Sequence, residues 1–215
     1  MWSSSKGEKN TEARRKELLE KGFELFSTKS IEAISMRNVA EAVGCGSVSA
    51  YRYFGSKPDF VVAVAAWKWE QFREKNIKRR PKVNFEGMTA AEIFEFYLDS
   101  FLVLYRNYKD LLRFNQFFNV YVQSEHMDAG TLQPYQEMIT GIRDWFHGMY
   151  LKAEQDHTLR TDEPEEKMFS KTLHLMLAAV TRYAVGLVYI PKSGFDPEEE
   201  LEFQKNMILK EYRMK

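Results

Sequence analysis

Residues 34–57 of the chain read ISMRNVAEAVGCGSVSAYRYFGSK, which is the pattern of two short helices joined by a tight turn. Ser35 is a good N-cap for the first helix, and Ala40 supplies the small side chain that lets a second helix cross closely. Gly44 follows four residues later, where the turn needs a residue that accepts positive φ. Ala50 gives the second helix an inward apolar contact, with serine, tyrosine and arginine side chains around it. This pattern predicts a helix-turn-helix, whose second helix enters the major groove of DNA.

Helical patterns continue on both sides of this segment. Upstream, apolar residues recur at spacings of three and four over residues 11–27, which predicts an amphipathic helix. Downstream, Ser56 and Asp59 have the spacing of a capping box and open a long helix that fades at residues 78–80. Further capped helices are predicted from Thr89 to about Tyr105, Leu111 to Ser124, Thr131 to about Glu154, about residue 162 to Ile190, and Asp196 to about residue 213. No segment alternates as a β-strand does, so the predicted fold class is all-α.

Charge is distributed unevenly along a chain that is neutral as a whole. Residues 1–80 carry 16 Lys and Arg against 10 Asp and Glu, a net charge of +6, and residues 81–215 carry a net charge of −6. A basic first third on a neutral chain indicates a polyanion as the partner of that part, with chance clustering of charge as the alternative.

Several classes of protein are disfavoured by the composition. The chain has a single cysteine, Cys45, and residues 1–10 lack the apolar run of a signal peptide, so the expected compartment is the cytoplasm. The longest apolar run, residues 173–190, barely reaches spanning length and contains Arg182, which favours a helix buried in protein and no membrane partner. The four histidines form no metal-spaced cluster, and no phosphate-binding loop or nucleophile elbow is present. We therefore expect no catalytic residue, no metal and no cofactor.

The segment around the turn resembles the N-terminal domain of the tetracycline-repressor (TetR) family of transcriptional regulators. The matching positions are Phe26, Ile34-Ser35, Val39-Ala40, Val43-Gly44, Tyr51-Arg52-Tyr53-Phe54 and Lys57. The resemblance covers about residues 11–75 in sequence and the remainder only in helical layout. Cys45, Gly46, Val48 and Ala50 depart from the family pattern, which leaves open the bases that the second helix reads.

The resemblance implies two domains: a helix-turn-helix DNA-binding domain over residues 1–57, linked by the helix of residues 57–80, and a ligand-binding and dimerisation domain over residues 81–215. The implied DNA-binding residues are Ser35, Arg37, Ser47, Val48, Ser49, Tyr51, Arg52, Tyr53 and Lys57. Among these, Ser47, Val48, Ser49 and Arg52 are expected to face the major groove, and Tyr51, Tyr53 and Lys57 to grip phosphates. An ordinary solvated face is the alternative for Arg37 and Arg52, and a partly buried position is the alternative for Tyr53.

The last two helices, about 162–190 and 196–213, are similar to the family's dimerisation pair, which implies a homodimer. Their apolar stripes comprise Phe169, Leu173, Met176, Leu177, Val180, Leu187, Leu201, Ile208, Leu209 and Tyr212. The alternative is packing within one subunit.

The middle helices are rich in aromatic residues, which are core residues by default. A subset that lines an apolar cavity is the functional interpretation. The candidate ligand-binding residues are Phe101, Tyr105, Phe114, Phe117, Phe118, Tyr121, Arg143, Trp145 and Met149.

These features predict a ligand-responsive transcriptional regulator, a repressor in the family's commoner mode. It would bind a pseudo-palindromic operator in double-stranded DNA as a dimer and be released by a small-molecule effector. The alternatives are an enzyme and a helical adaptor that binds protein. The adaptor would show no salt-dependent binding to duplex DNA.

Overall fold

The computed structural model of the protein describes residues 4–78, 85–187, 189–190 and 193–214. Within these ranges the chain forms nine α-helices and one short 3₁₀ turn, Phe85–Gly87, so the predicted all-α class is confirmed. The helices are α1 (Ser4–Thr28), α2 (Met36–Ala42), α3 (Ser47–Phe54), α4 (Lys57–Lys78), α5 (Ala90–Asn107), α6 (Lys109–Ser124), α7 (Ala129–Asp156), α8 (Glu165–Val185) and α9 (Pro197–Tyr212). The β-structure in the described part of the chain is an isolated antiparallel bridge between Leu159 and Arg213.

The chain divides into two compact units. The first contains Met1–Arg73 together with Arg113–Met138, and the second contains Glu74–Leu112 together with Ile139–Lys215. Helices α4, α6 and α7 therefore each contribute one part to each unit. The domain boundary predicted at residue 81 lies outside the described residues and stays a prediction.

The core of the first unit is built on the apolar stripe of α1. Leu18, Leu19, Phe23 and Phe26 are buried, as the helical spacing of these residues indicated. The ring of Phe60 on α4 lies against this stripe, with its centroid 5.8 Å from that of Phe26. The apolar stripe of α1 is therefore the face that packs against α4.

The second unit packs α5 against α8 and α9. The predicted capping box at the start of α5 is present, because Thr89 accepts a hydrogen bond from the backbone of Glu92 and the Glu92 side chain accepts one from the backbone of Thr89. The end of α7 also stabilises this helix start, since the Asp156 carboxylate accepts from the backbone N–H of Ala90 at 2.7 Å. Thr158 accepts from the N–H of Ala91 at 3.0 Å.

Helix α8 is shorter than the sequence predicted. It begins at Glu165 after Pro164, whose φ of −54° and ψ of 137° place it outside the helix. The residue before a proline is also disfavoured in helical conformation, so the predicted start near residue 162 was wrong. The predicted end at Ile190 was wrong as well, because Gly186 adopts φ 105° and ψ 153° and ends the helix after Val185. Positive φ is accessible to glycine at no steric cost.

Most of the apolar stripe assigned to a subunit interface lies instead inside one protomer. Six of its members are at most 7% exposed and pack within the second unit, namely Met176, Val180, Leu201, Ile208, Leu209 and Tyr212. Periodicity identifies an apolar face but does not distinguish a protomer core from an interface, which is why the prediction was wrong for these residues. The large apolar side chains that α8 and α9 leave exposed are Leu175, Val185, Phe203 and Met207.

Candidate nucleic-acid interface

The helix-turn-helix is set by backbone and capping interactions at its turn. Ser35 is the N-cap of α2, and its side chain accepts from the Asn38 N–H at 3.2 Å while the Asn38 amide oxygen accepts from the Ser35 N–H at 2.9 Å. Gly44 has φ 68°, and the Cys45 N–H then donates to the Ala40 carbonyl at 2.9 Å. Gly46 is the N-cap of α3. The turn therefore fixes α3 relative to α2 through local geometry.

One face of the motif is buried. Val39, Ala40 and Ala50 have no exposed surface, so α2 and α3 pack closely at these small and branched residues. Phe54 at the end of α3 is 8% exposed and lies edge-on to Phe60, with ring centroids 4.7 Å apart. This packing leaves the opposite face of α3 in solvent.

The exposed face of α3 carries the side chains expected to contact DNA. Val48 is 82% exposed and Tyr51 is 46% exposed, and Arg52 is exposed beside them. Ser47 and Ser49 are half-buried and flank this face. Because Val48, Tyr51 and Arg52 lie three and four residues apart, they share one side of the helix. The structure thus brings an apolar, a hydroxyl and a guanidinium group together on one surface.

Four other predicted DNA-binding residues already have partners within the first unit. Arg37 is exposed but paired, with its Nε 2.7 Å from Glu41 Oε1, and this hydrogen bond raises the pKa of Arg37. The Ser35 hydroxyl is used in the cap of α2, as described above. Tyr53 is half-buried beside Phe54, with the Arg52 guanidinium 5.9 Å from its ring centroid.

Lys57, the fourth of these residues, lies at the start of α4 and is half-buried. Its Nζ is 5.4 Å from the centroid of the Tyr121 ring and donates to the Glu32 carbonyl at 3.5 Å. Burial lowers the pKa of Lys57, and the carboxylates of Glu32 and Glu125 act in the opposite direction. The ammonium is therefore held against α6, a contact that the sequence pattern did not indicate.

Arg14 also contributes to the motif and was missed in the sequence. Its Nη1 donates to the carbonyl of Val43 at 2.9 Å, which satisfies an acceptor at the end of α2. The two residues are 29 positions apart, so no local pattern could have identified the pair.

The predicted ligand-binding residues divide between the two units. Phe114, Phe118 and Tyr121 are buried and Phe117 is half-buried in the first unit. In the second unit Tyr105 and Met149 are buried, Phe101 is half-buried, and Arg143 and Trp145 are exposed. Arg143 lies 3.9 Å from Glu166, and the Trp145 carbonyl accepts from the Tyr97 hydroxyl at 3.1 Å. A ligand-binding role for either group of residues stays a prediction.

Two of the predicted ligand-binding residues, Phe114 and Phe118, belong to an aromatic cluster in the first unit. The ring of Phe114 is 5.5 Å from that of Phe23 on α1 and 6.0 Å from that of Phe118. Phe118 in turn lies 4.8 Å from Tyr135 on α7. Asn115, on the same helix, is 2% exposed and its Oδ1 has no hydrogen-bond partner within the described residues.

The described ranges contain neither a candidate metal site nor a candidate membrane-spanning helix. No three His, Cys, Asp or Glu side chains in them are grouped so that they could hold a metal ion. No helix there has both the length and the apolar character required to cross a lipid bilayer.

Comparison with known proteins places this motif in a family. Residues 18–64 match the family model described as bacterial regulatory proteins, tetR family. No curated protein matches the sequence significantly.

Solved structures of regulators share the fold over most of their length. One is a transcriptional regulator from Saccharomonospora viridis in complex with choline, with 13% identity, 95% of this chain and 100% of that chain covered, and a TM-score of 0.71. Another is FadR from Bacillus subtilis in complex with stearoyl-CoA, with 14% identity, coverage of 91% and 97%, and a TM-score of 0.68. A third is AibR in complex with isovaleryl coenzyme A and operator DNA, with 17% identity, coverage of 90% and 97%, and a TM-score of 0.60.

The described chain is all-α and presents the exposed second helix of a helix-turn-helix, the element that enters the major groove in DNA-binding proteins with this motif. The segment of residues 18–64 thus resembles the tetR family of bacterial regulatory proteins, as the residues around the turn predicted.

Proposed function

We propose that the protein is a ligand-responsive repressor that binds a pseudo-palindromic operator as a homodimer and is released by a small-molecule effector. The observation that carries this proposal is the face of α3, where Val48, Tyr51 and Arg52 stand exposed on an otherwise packed helix. A recognition helix requires this division, because one face must hold the fold while the other meets base edges.

The side chains on α3 have chemistry suited to both kinds of DNA contact. Arg52 would pair with guanine through two hydrogen bonds, and Val48 would meet a thymine methyl group. Tyr51 would donate to a phosphate, which positions the protein without selecting sequence. The Arg37–Glu41 ion pair would have to open for Arg37 to join these contacts.

Exposed apolar residues on α8 and α9 support the homodimer. Phe203 and Met207 are one helical turn apart on α9 and are 65% and 56% exposed, and Leu175 on α8 is 52% exposed. Gln204 on α9 donates to the carbonyl of Leu175 at 2.8 Å, which joins the two helices at this surface. Apolar side chains of this size are typical of a subunit interface, and two such helices from each subunit would form a four-helix bundle.

Structurally similar regulators support a small-molecule effector. Two of them are complexes with acyl-coenzyme A compounds and one is a complex with choline. In this chain the aromatic cluster of α6 and α7 offers an apolar wall, and Asn115 offers an acceptor that has no partner among the described residues. An effector would release DNA only if it bound the DNA-free state more tightly than the DNA-bound state.

The test is fluorescence anisotropy of the purified protein with labelled duplexes that tile its own upstream region, at two salt concentrations. Tight binding to one pseudo-palindromic duplex that weakens steeply with salt is the expected result, because phosphate contacts release counterions. Binding that is absent from every duplex at both salt concentrations would contradict the proposal and favour a helical adaptor that binds protein.

A further inference from the structure

Lys57 is held by two groups of the first unit while it remains within reach of solvent. The Tyr121 ring lies 5.4 Å from its Nζ, and the Glu32 carbonyl accepts from it at 3.5 Å. An ammonium group carries three N–H donors, so one carbonyl leaves donors for a further acceptor. The contacts thus fix the position of the ammonium group without exhausting its bonding capacity.

The surroundings lower the pKa of Lys57, chiefly through burial, and keep Tyr121 neutral. Burial disfavours the ammonium form of Lys57, whereas the carboxylates of Glu32 and Glu125 favour it. Burial, with the same two carboxylates, raises the pKa of Tyr121 to about 12. A cation facing a neutral ring is the arrangement that gives a cation–π interaction.

We propose that Tyr121 is a positioning residue for Lys57, whose ring holds the ammonium at the start of α4 so that it meets a DNA phosphate. A free lysine side chain samples many rotamers, and one that is already ordered loses less freedom when it binds. Tyr121 itself is 2% exposed and is anchored in α6, so the ring is a fixed support.

The same contact gives the effector a route to the DNA-binding domain, a step that rests on the proposed function. Tyr121 shares α6 with Phe114 and Phe118, whose rings are 6.0 Å apart, and Phe114 lies 5.5 Å from Phe23 on α1. An effector that displaced this part of α6 would withdraw the ring from Lys57. The loss of an ordered phosphate contact would then lower the affinity for DNA, as release of a repressor requires.

A double-mutant cycle tests the positioning role with the duplex found in the tiling experiment. Tyr121→Leu should weaken DNA binding about 2- to 5-fold, the factor that corresponds to a partly exposed cation–π contact, and Tyr121→Phe should restore most of the affinity. Lys57→Met should reduce the slope of log affinity against log salt concentration by about one, which corresponds to the loss of one phosphate contact. Adding Tyr121→Leu to Lys57→Met should then cost nothing further. Val120→Ala, an exposed neighbour on α6, is the matched control.

Additive losses in the double mutant would overturn the proposal, because Tyr121 would then act through packing alone. If the wild-type protein bound no duplex, both the proposed function and the positioning role would be contradicted. If the wild-type protein bound DNA and the double mutant showed additive losses of affinity, only the positioning role would be contradicted.

A measurement on the wild-type protein covers the case in which Tyr121→Leu does not fold. In ¹³C-labelled lysine spectra, the Lys57 side-chain methylene protons should show an upfield ring-current shift from Tyr121. We expect this shift to persist when DNA is bound. Loss of the shift on DNA binding would show that the ring and the phosphate compete for Lys57, which contradicts a positioning role.

Discussion

Gly22 on α1 lies in close contact with Phe60 and Val64 of α4 in the first unit. A Cβ atom at this position would stand 2.5 Å from Cζ of Phe60 and 3.2 Å from Cγ2 of Val64. The Phe60 ring is fully buried between Phe26 and Phe54, so it has little room to move.

Gly22→Ala is therefore expected to lower the free energy of unfolding by about 1–2 kcal/mol, since overpacking outweighs the gain in helix propensity. Urea denaturation measures the change. Gly148→Ala is the matched control, because Gly148 is exposed on α7 with no atom within 4 Å of an added Cβ. This control should gain roughly 0.5–1 kcal/mol. A gain in stability for both variants would refute the close approach at Gly22.

The roles of Arg52 and Tyr51 can be separated by single substitutions. Arg52→Ala should cost about 1–3 kcal/mol of operator affinity and relax selectivity at one base pair, because base contacts specify sequence. Tyr51→Phe should weaken binding to every duplex alike, because a phosphate contact does not depend on the base sequence. Anisotropy with operator and mismatched duplexes measures both effects.

Lys167→Ala removes a positive charge from an exposed site in the second unit and serves as the control. Unchanged selectivity in Arg52→Ala would show that this arginine is an ordinary solvated side chain.

At the scale of elements, the end of α7 supports the start of α5. The Asp156 carboxylate accepts from the Ala90 N–H at 2.7 Å, the Thr158 N–H at 3.0 Å and the Thr158 hydroxyl at 2.8 Å. Burial acts to raise the pKa of Asp156, but these hydrogen bonds outweigh it and hold the pKa below its usual value. The first N–H groups of a helix have no partner within the helix, so Asp156 supplies one.

Asp156→Asn is expected to cost about 1–2 kcal/mol of stability at neutral pH. Because the pKa is depressed in the folded state, this stabilisation is complete above the unfolded-state value of about 4 and is lost as pH falls through the folded-state value. Denaturation curves at several pH values should therefore show wild type and variant converging in acid. Asp144→Asn, exposed on the same helix, is the control. A constant difference down to strongly acidic pH would exclude an ionised cap.

At the scale of the whole molecule, the proposed homodimer would use the surface formed by Leu175, Phe203 and Met207. Phe203→Glu would bury a charge in the proposed interface and should weaken the dimer about 30-fold or more, as removal of a central anchor does. Light scattering after size-exclusion chromatography measures the mass, and operator affinity should fall with it. Val120→Glu is the control, since Val120 is an exposed apolar residue on α6 outside this surface. A Phe203→Glu protein that remained dimeric would place the interface elsewhere.

Helix starts were predictable wherever the signal lies within one turn of the chain. The caps at Ser35, Thr89 and Asp196 are present, because a side chain and the N–H groups it satisfies are only two or three residues apart. The bounds of α8 were predicted wrongly, because the prediction followed the apolar periodicity. The backbone preferences of two single residues, Pro164 and Gly186, set the actual start and end of the helix.

The amino-acid sequence by itself determined the all-α class, the helix-turn-helix with its turn at Gly44, and the burial of Ala40 and Ala50. These features follow from propensity, capping and periodicity, which act over a few residues. Only the tertiary structure decided which apolar face of α8 and α9 is core and which is exposed, and that Lys57 meets Tyr121. The physical reason is that packing and side-chain contacts between distant helices depend on where the chain places each face in space, and no local pattern records this.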